Sequence, residues 1–278
     1  MEYFREEPIN ERITRILMPG HVYSYLVEGR DRAAVIDCGC GLGSFRTYIE
    51  ARLQGKPYDL ILTHGHVDHA GGASEFDCVW LTEADFGLAS RHTQKEIRRD
   101  YLRRSQHEFD ETKLVEPKTV GYAALAYGQC FDLGGEILEV LCLGGHTRGS
   151  VGILFADSRI LLTGDACCSY TLLFGNGDSL PIRSYRQNLA SAWDTCRNRF
   201  DSLLYSHPHN WGGPELFTQM IRLCNEILSG KDDRIPTKFI DGSDGFLAKA
   251  IGENHRRVDG GLPNIVYAGD LICDGGKK

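Results

Sequence analysis

No run in this 278-residue chain approaches the roughly 18 apolar residues that a membrane-spanning helix needs. The opening stretch, MEYFREEPIN, has no apolar core of a secretory leader, so the expected location is the cytoplasm. Positive charge is in deficit as well. Lys and Arg number 31 against 38 Asp and Glu, a net charge of −7, and binding to a polyanion rests on clustered basic side chains. Nucleic acid is therefore not an expected partner. Repeats and low-complexity tracts are also missing. There are ten cysteines, but without a leader they are expected to be mostly reduced core residues. The pairs Cys38/Cys40 and Cys167/Cys168 lack the spacing of a structural zinc site.

What is present is an ordinary globular composition, 42% hydrophobic and 25% charged. The length suits one large domain or two small ones and is ample for a buried core. Apolar, β-branched or aromatic runs predict strands at 22–29, 33–39, 59–63, 137–144, 151–156, 159–166 and 202–207. Most lack strict alternation, as strands covered on both faces do. Residues 184–200 predict a helix: Ser184 and Gln187 form a capping-box pattern, and Tyr185, Leu189, Trp193, Cys196 and Phe200 make an apolar stripe. A second helix is predicted from Pro214 to just before Gly230. Alternation of this kind points to an α/β protein.

Residues 83–118 differ. Thr93 with Glu96 predicts a cap on a helix that runs through Arg98, Arg99, Arg103 and Arg104. That Arg-rich face reads either as a solvated surface with its stems over apolar neighbours or as a flap for an anionic substrate. The tail, 231–278, reads as a polar connection, DDRIPTKFIDGSDGF, followed by one more strand at LPNIVYAGD.

The chemistry concentrates in LTHGHVDHAGG, residues 62–72, at the end of an apolar strand. Residues two apart in extended chain point the same way, so His64 and His66 can converge on one cation. Asp68 and His69, past the bend, can face a second. Imidazole and carboxylate suit zinc, and also iron or manganese. Four side chains are too few for two ions, and later strand ends supply more: His146 in CLGGHTRGS, Asp165 in ILLTGDACC, and His207 in LLYSHPHN, with His209 close behind.

These motifs, His64-Gly-His66-Val-Asp68-His69, Gly145-His146-Thr147, Gly164-Asp165 and Ser206-His207, with Asp37 in VIDCG ahead of them, resemble those of the metallo-β-lactamase-fold superfamily. The resemblance covers about residues 13 to 230. It implies an αβ/βα four-layer sandwich of two mixed sheets flanked by helices, in a catalytic domain 1–230 with a helical insertion near 83–118 and an extension 231–278. It also implies a dinuclear site. His64, His66 and His146 would hold one ion, Asp68, His69 and His207 the other, and Asp165 would bridge them. His207 is preferred to His209 because it directly follows its strand. Two divalent ions, zinc first, would then provide hydroxide at neutral pH, with Asp68 or Asp165 carrying the proton to the leaving group. Asp37 is expected to hydrogen-bond a ligand histidine.

Tyr170 and Cys168 lie close in sequence to Asp165 but read as packed residues, and His21 reads equally as a groove residue or a satisfied strand-edge histidine. The leading expectation is a metal-dependent hydrolase of a small ester, thioester, lactone or related acyl substrate. The alternatives within the same family are a mononuclear-iron persulfide dioxygenase and a phosphodiesterase or nucleic-acid-processing enzyme. The tail is expected to pack over the groove or to support a homodimer.

Overall fold

The apolar runs form strands, and in this computed structural model the strands make three mixed sheets. The structure describes residues 3–105, 108–117, 121–175 and 177–272. The chain divides into two compact units, Met1–Val140 with Ser206–Pro208, and Leu141–Tyr205 with His209–Lys278.

The first unit is built on seven strands in chain order: β1 (Arg5–Pro8), β2 (Ile13–Met18), β3 (Val22–Glu28), β4 (Ala33–Ile36), β5 (Tyr58–Ile61), β6 (Val79–Leu81) and β7 (Tyr122–Ala124). Strands β1 to β4 are antiparallel neighbours, as short connections require, and β4 to β7 are parallel. The parallel steps need crossovers, supplied by α1 (Phe45–Leu53), α2 (Val67–Ala70), α3 (Phe86–His92) and α4 (Lys95–Arg104). Helix α1 buries Phe45, Ile49 and Leu53 in one cluster with Val22, Leu26, Val35, Leu60 and Val79 from the sheet. A hairpin of β8 (Cys130–Asp132) and β9 (Ile137–Cys142) follows, and the division between the units falls in β9.

The second unit holds β10 (Val151–Phe155), β11 (Ile160–Leu162), β12 (Tyr170–Leu173) and β13 (Ser202–Leu204), then β14 (Ile235–Lys238), β15 (Asp244–Leu247) and β16 (Asn264–Tyr267). One sheet has the order β13-β11-β10-β9-β8 and another β12-β16-β15-β14. Helices α5 (Ile182–Cys196) and α6 (Glu215–Leu228) bury Tyr185, Leu189, Leu216, Met220 and Leu223 in one core with Leu154, Leu161, Ile265 and Val266.

Three local expectations are corrected. Helix α5 begins at Ile182 behind Pro181, two residues before the Ser184–Gln187 pattern, and no side chain caps it. The fully buried Ile182 belongs to the core, so packing sets the start rather than the capping box. Thr93 ends α3 instead of opening α4, whose N-cap is Gln94; its hydroxyl donates to the Ser90 carbonyl behind it. The stretch read as a polar connection is the β14–β15 hairpin, paired from Ile235↔Leu247 to Lys238↔Asp244. The final six residues of the tail, 273–278, lie outside the described residues.

Candidate metal centre

The motif HGHVDH follows β5 as a short loop and then a single helical turn. The His66 carbonyl accepts the backbone N–H groups of His69 and Ala70, which begins α2 and brings Asp68 and His69 round on a helix. His64 remains on the loop, its ring 4.8 Å from that of His66 and 4.0 Å from that of His69. His92 at the end of α3 stacks on His66 at 5.4 Å.

Asp37, just past β4, organises this group. Its Oδ1 accepts the Thr63 backbone N–H at 2.7 Å, and its Oδ2 accepts the Thr63 hydroxyl at 2.8 Å and His69 Nδ1 at 2.8 Å. The Thr63 hydroxyl spends its proton on Asp37, so its oxygen accepts from His64 Nδ1 at 3.1 Å. One carboxylate therefore orients two imidazoles, one directly and one through a threonine. It does so from a left-handed backbone, φ 63°, a conformation Asp tolerates better than most residues. Asp85, fully buried, accepts the Gly65 N–H at 2.9 Å and fixes the loop between His64 and His66.

His207 lies in the first unit as well, where its Nδ1 donates to the His21 carbonyl at 2.9 Å. Asp68, His69 and His207 each offer a ligand atom within 4.8 Å of one another. Asp68 Oδ2 is 3.4 Å from His207 Nε2 and 3.7 Å from His69 Nε2.

In the second unit His146 Nδ1 donates to the Leu172 carbonyl of β12 at 2.6 Å, and its Nε2 stands 3.8 Å from Asp165 Oδ2. The loop is fixed further by Ser179, whose hydroxyl donates to the His146 carbonyl at 2.6 Å. Tyr185 lies against Gly145 on one side, and its hydroxyl donates to the Ala166 carbonyl.

Together these contacts test whether the donors suit a metal ion. In His64, His69, His146 and His207 the Nδ1 proton is committed to an oxygen acceptor. A neutral ring held in this way presents its Nε2 lone pair, which is how metal-ligating histidines are normally oriented. Nε2 lone pairs held within 4 Å of carboxylate oxygens, as in Asp68–His207 and Asp165–His146, place acceptor against acceptor, an arrangement a cation stabilises. The set fits a divalent ion, and its imidazole-rich chemistry suits zinc.

Other candidates fall elsewhere. Burial, with the Asp165 charge second, pushes the Cys168 thiol up to about 12, so it stays protonated, and its Sγ points to the Tyr170 carbonyl and the Thr171 hydroxyl. The described cysteines are free thiols, and most are buried. Tyr170 is half-buried on β12 against the second core. His21 contributes its carbonyl through its backbone. The Arg-rich helix is a solvated face in part, with Arg103 and Arg104 exposed. Arg98 is fully buried and donates to the Gly41 and Val115 carbonyls, Arg99 and Arg103 pair with Glu111, and Arg104 bonds the Asp100 carbonyl. Its Tyr101 instead reaches Asp68. Thr63, Asp85 and Tyr101 were not singled out from sequence; Thr63 adjoins the motif, but neither Asp85 nor Tyr101 carries any local signal.

The sequence profile of the metallo-beta-lactamase superfamily matches residues 17–209, and the chain belongs to that superfamily as a metal-dependent hydrolase. Among curated proteins it is 28% identical over 251 residues to the acyl-coenzyme A thioesterase MBLAC2 of Gallus gallus, spanning 82% of this chain and 88% of that one. It is 31% identical over 160 residues to the hydroxyacylglutathione hydrolase of Acidiphilium cryptum, 58% of this chain and 53% of the other. Among solved structures it resembles a metallo-beta-lactamase from Pontibacter korlensis with a TM-score of 0.58 at 19% identity, covering 80% of this chain and 99% of that one. The sec-alkylsulfatase Pisa1 from Pseudomonas sp. aligns with a TM-score of 0.60 at 14% identity, over 81% and 42%. At such identities the likeness establishes the fold, the α/β metallo-β-lactamase fold of helices and mixed sheets. No helix among the described residues is long and apolar enough to cross a membrane.

Proposed function

We propose that this protein is a two-metal hydrolase of acyl thioesters. The observation that carries the reading is the match to an acyl-coenzyme A thioesterase over more than four-fifths of both chains. In this reading His64, His66 and His146 would hold one divalent ion and Asp68, His69 and His207 the second, with Asp165 available to both. The fixed Nδ1 contacts support each assignment for His64, His69, His146 and His207.

Divalent ions, when bound, lower the pKa of a water ligand towards neutrality and polarise an acyl oxygen. The chain's own residues supply geometry and proton handling. Asp37 holds His64 and His69 in the ligating tautomer. The Leu172 and His21 carbonyls do the same for His146 and His207. Asp68 and Asp165 are the carboxylates available to carry a proton from the nucleophile to the departing sulfur. That demand is modest, because a thiol is far more acidic than an alcohol, the cysteine side chain having a pKa of about 8.5, and leaves readily as thiolate. A thioester therefore suits a site with carboxylate shuttles and no separate strong acid.

The test is a substrate panel on purified protein: an acyl-coenzyme A, an S-acyl glutathione, a lactone, a phosphodiester and a β-lactam. Thioester hydrolysis is expected to dominate, to vanish on chelation and to return with about two equivalents of zinc. Metal-replete protein that leaves both thioesters intact, or that turns them over unchanged after the metal is stripped, overturns the reading. One iron per chain by elemental analysis points to oxidative chemistry in its place.

A further inference from the structure

Helix α4 brings one side chain to a ligand carboxylate. The Tyr101 hydroxyl lies 3.2 Å from Asp68 Oδ2 and 3.0 Å from the Gly20 carbonyl. A phenol has a single proton, so these two acceptors share it. The helix is held in place one turn earlier by the buried Arg98, whose guanidinium donates to the Gly41 carbonyl at 3.4 Å and the Val115 carbonyl at 2.6 Å.

The turn on the other side of Tyr101 matters equally. Gly20 and His21 are consecutive left-handed residues, φ 90° and 58°, between β2 and β3. Their successive carbonyls serve two different ligands: Gly20 receives Tyr101 and through it Asp68, and His21 receives His207 Nδ1 at 2.9 Å. The tyrosine ring lies so close that a Cβ on Gly20 would stand 2.7 Å from Tyr101 Cε1. Asp68 and His207 are thereby referenced to one turn, with Asp68 Oδ2 and His207 Nε2 held 3.4 Å apart. His64 Nδ1 is instead referenced to the Thr63 hydroxyl beside Asp37.

We propose that Tyr101 is a positioning residue for Asp68, which together with the Gly20–His21 turn sets the affinity of the second metal ion and leaves the first unaffected. The proposal rests on the two-ion reading above. It gives the insertion between β6 and β7 a definite task, that of completing the frame of one ligand pair.

Metal-free protein is titrated with zinc against a chromophoric chelator, and the cobalt-substituted protein is followed by its visible absorption. Wild type is expected to take two equivalents. In Tyr101→Phe the second equivalent is expected to bind about 10- to 100-fold more weakly, as when an outer hydrogen bond to a ligand is lost, with the first changed by less than about twofold. The cobalt bands of the second equivalent shift and far-UV circular dichroism does not. Gly20→Ala, which forces the ring off the turn, is expected to weaken the same equivalent. Arg104→Ala, exposed on the same helix, is expected to change neither. Two equivalents bound by Tyr101→Phe with wild-type affinities, or both weakened in parallel, overturn the proposal while the two-ion reading stands. A single equivalent in wild type removes both.

Discussion

At the scale of single residues, the centre depends on where four protons sit. Asp37 receives three hydrogen bonds, from the Thr63 N–H, the Thr63 hydroxyl and His69 Nδ1, and each requires an acceptor. Asn at position 37 keeps the shape and accepts the left-handed φ of 63°, so the fold is expected to survive. It cannot keep the chemistry. Either orientation of the amide turns its NH2 against a donor, and the relief open to His69 is to move its proton to Nε2, the ligating atom. Asp37→Asn is therefore expected to weaken zinc binding by about 10- to 100-fold with little change in melting temperature, read by chelator competition and calorimetry. Unchanged zinc affinity would refute this tautomer argument. Asp37 was legible beforehand as the hydrogen-bond partner of a histidine of the motif, because it ends an apolar strand ahead of it. Which histidine it holds, and the relay through Thr63 to a second, depends on the parallel pairing of β4 with β5, which no local pattern reveals.

At the scale of elements, one helix side chain spaces the loops that carry His146 and Asp165. Tyr185 on α5 fills the space beside Gly145, next to His146, and donates to the Ala166 carbonyl, next to Asp165. A Cβ at position 145 would lie 1.9 Å from Tyr185 Cδ2, far inside contact distance, so the loop or the helix must move. Gly145→Ala is expected to cost several kcal/mol, in the range of an overpacked core, and to lose metal along with stability. Tyr185→Phe removes only the hydroxyl and leaves a buried carbonyl unmet, about 1–3 kcal/mol. Thermal unfolding of the metal-free proteins ranks them; Gly145→Ala with wild-type stability would contradict the close approach. The helix itself was readable from its apolar stripe, with Tyr185, Leu189 and Cys196 buried as predicted. Its start was not, since Pro181 and the buried Ile182 outweigh a capping pattern two residues further on. The same limit applies to Thr93, whose hydroxyl turns back to the Ser90 carbonyl instead of forward into α4.

At the scale of the whole chain, β4 and β10 were legible because burial on both faces leaves a continuous apolar run. Strands β1 and β14 were not, since each keeps mostly exposed or half-exposed side chains, and β14 lies in the stretch read as a polar connection. That blind spot hides the largest structural role of the tail. Beyond residue 230 the chain supplies β14, β15 and β16, and β16 is the neighbour of β12 within their sheet, paired through Leu172↔Val266. Leu172 is the residue whose carbonyl holds His146 Nδ1. Ile265, Val266 and Tyr267 are also buried in the same core as α5 and α6. Removing 231–278 thus strips β12 of its partner strand, opens the core of the second unit and loosens the support of His146. Burial of three side chains of this size is worth about 1.5–3 kcal/mol each, a large share of the roughly 5–15 kcal/mol that holds a domain folded. A chain ending at residue 230 is therefore expected to be insoluble or to lack a cooperative unfolding transition in the second unit. A soluble truncated protein with the melting transition and zinc stoichiometry of the full chain would show that β12 holds its register through its own loops, and that the tail is an accessory to the fold.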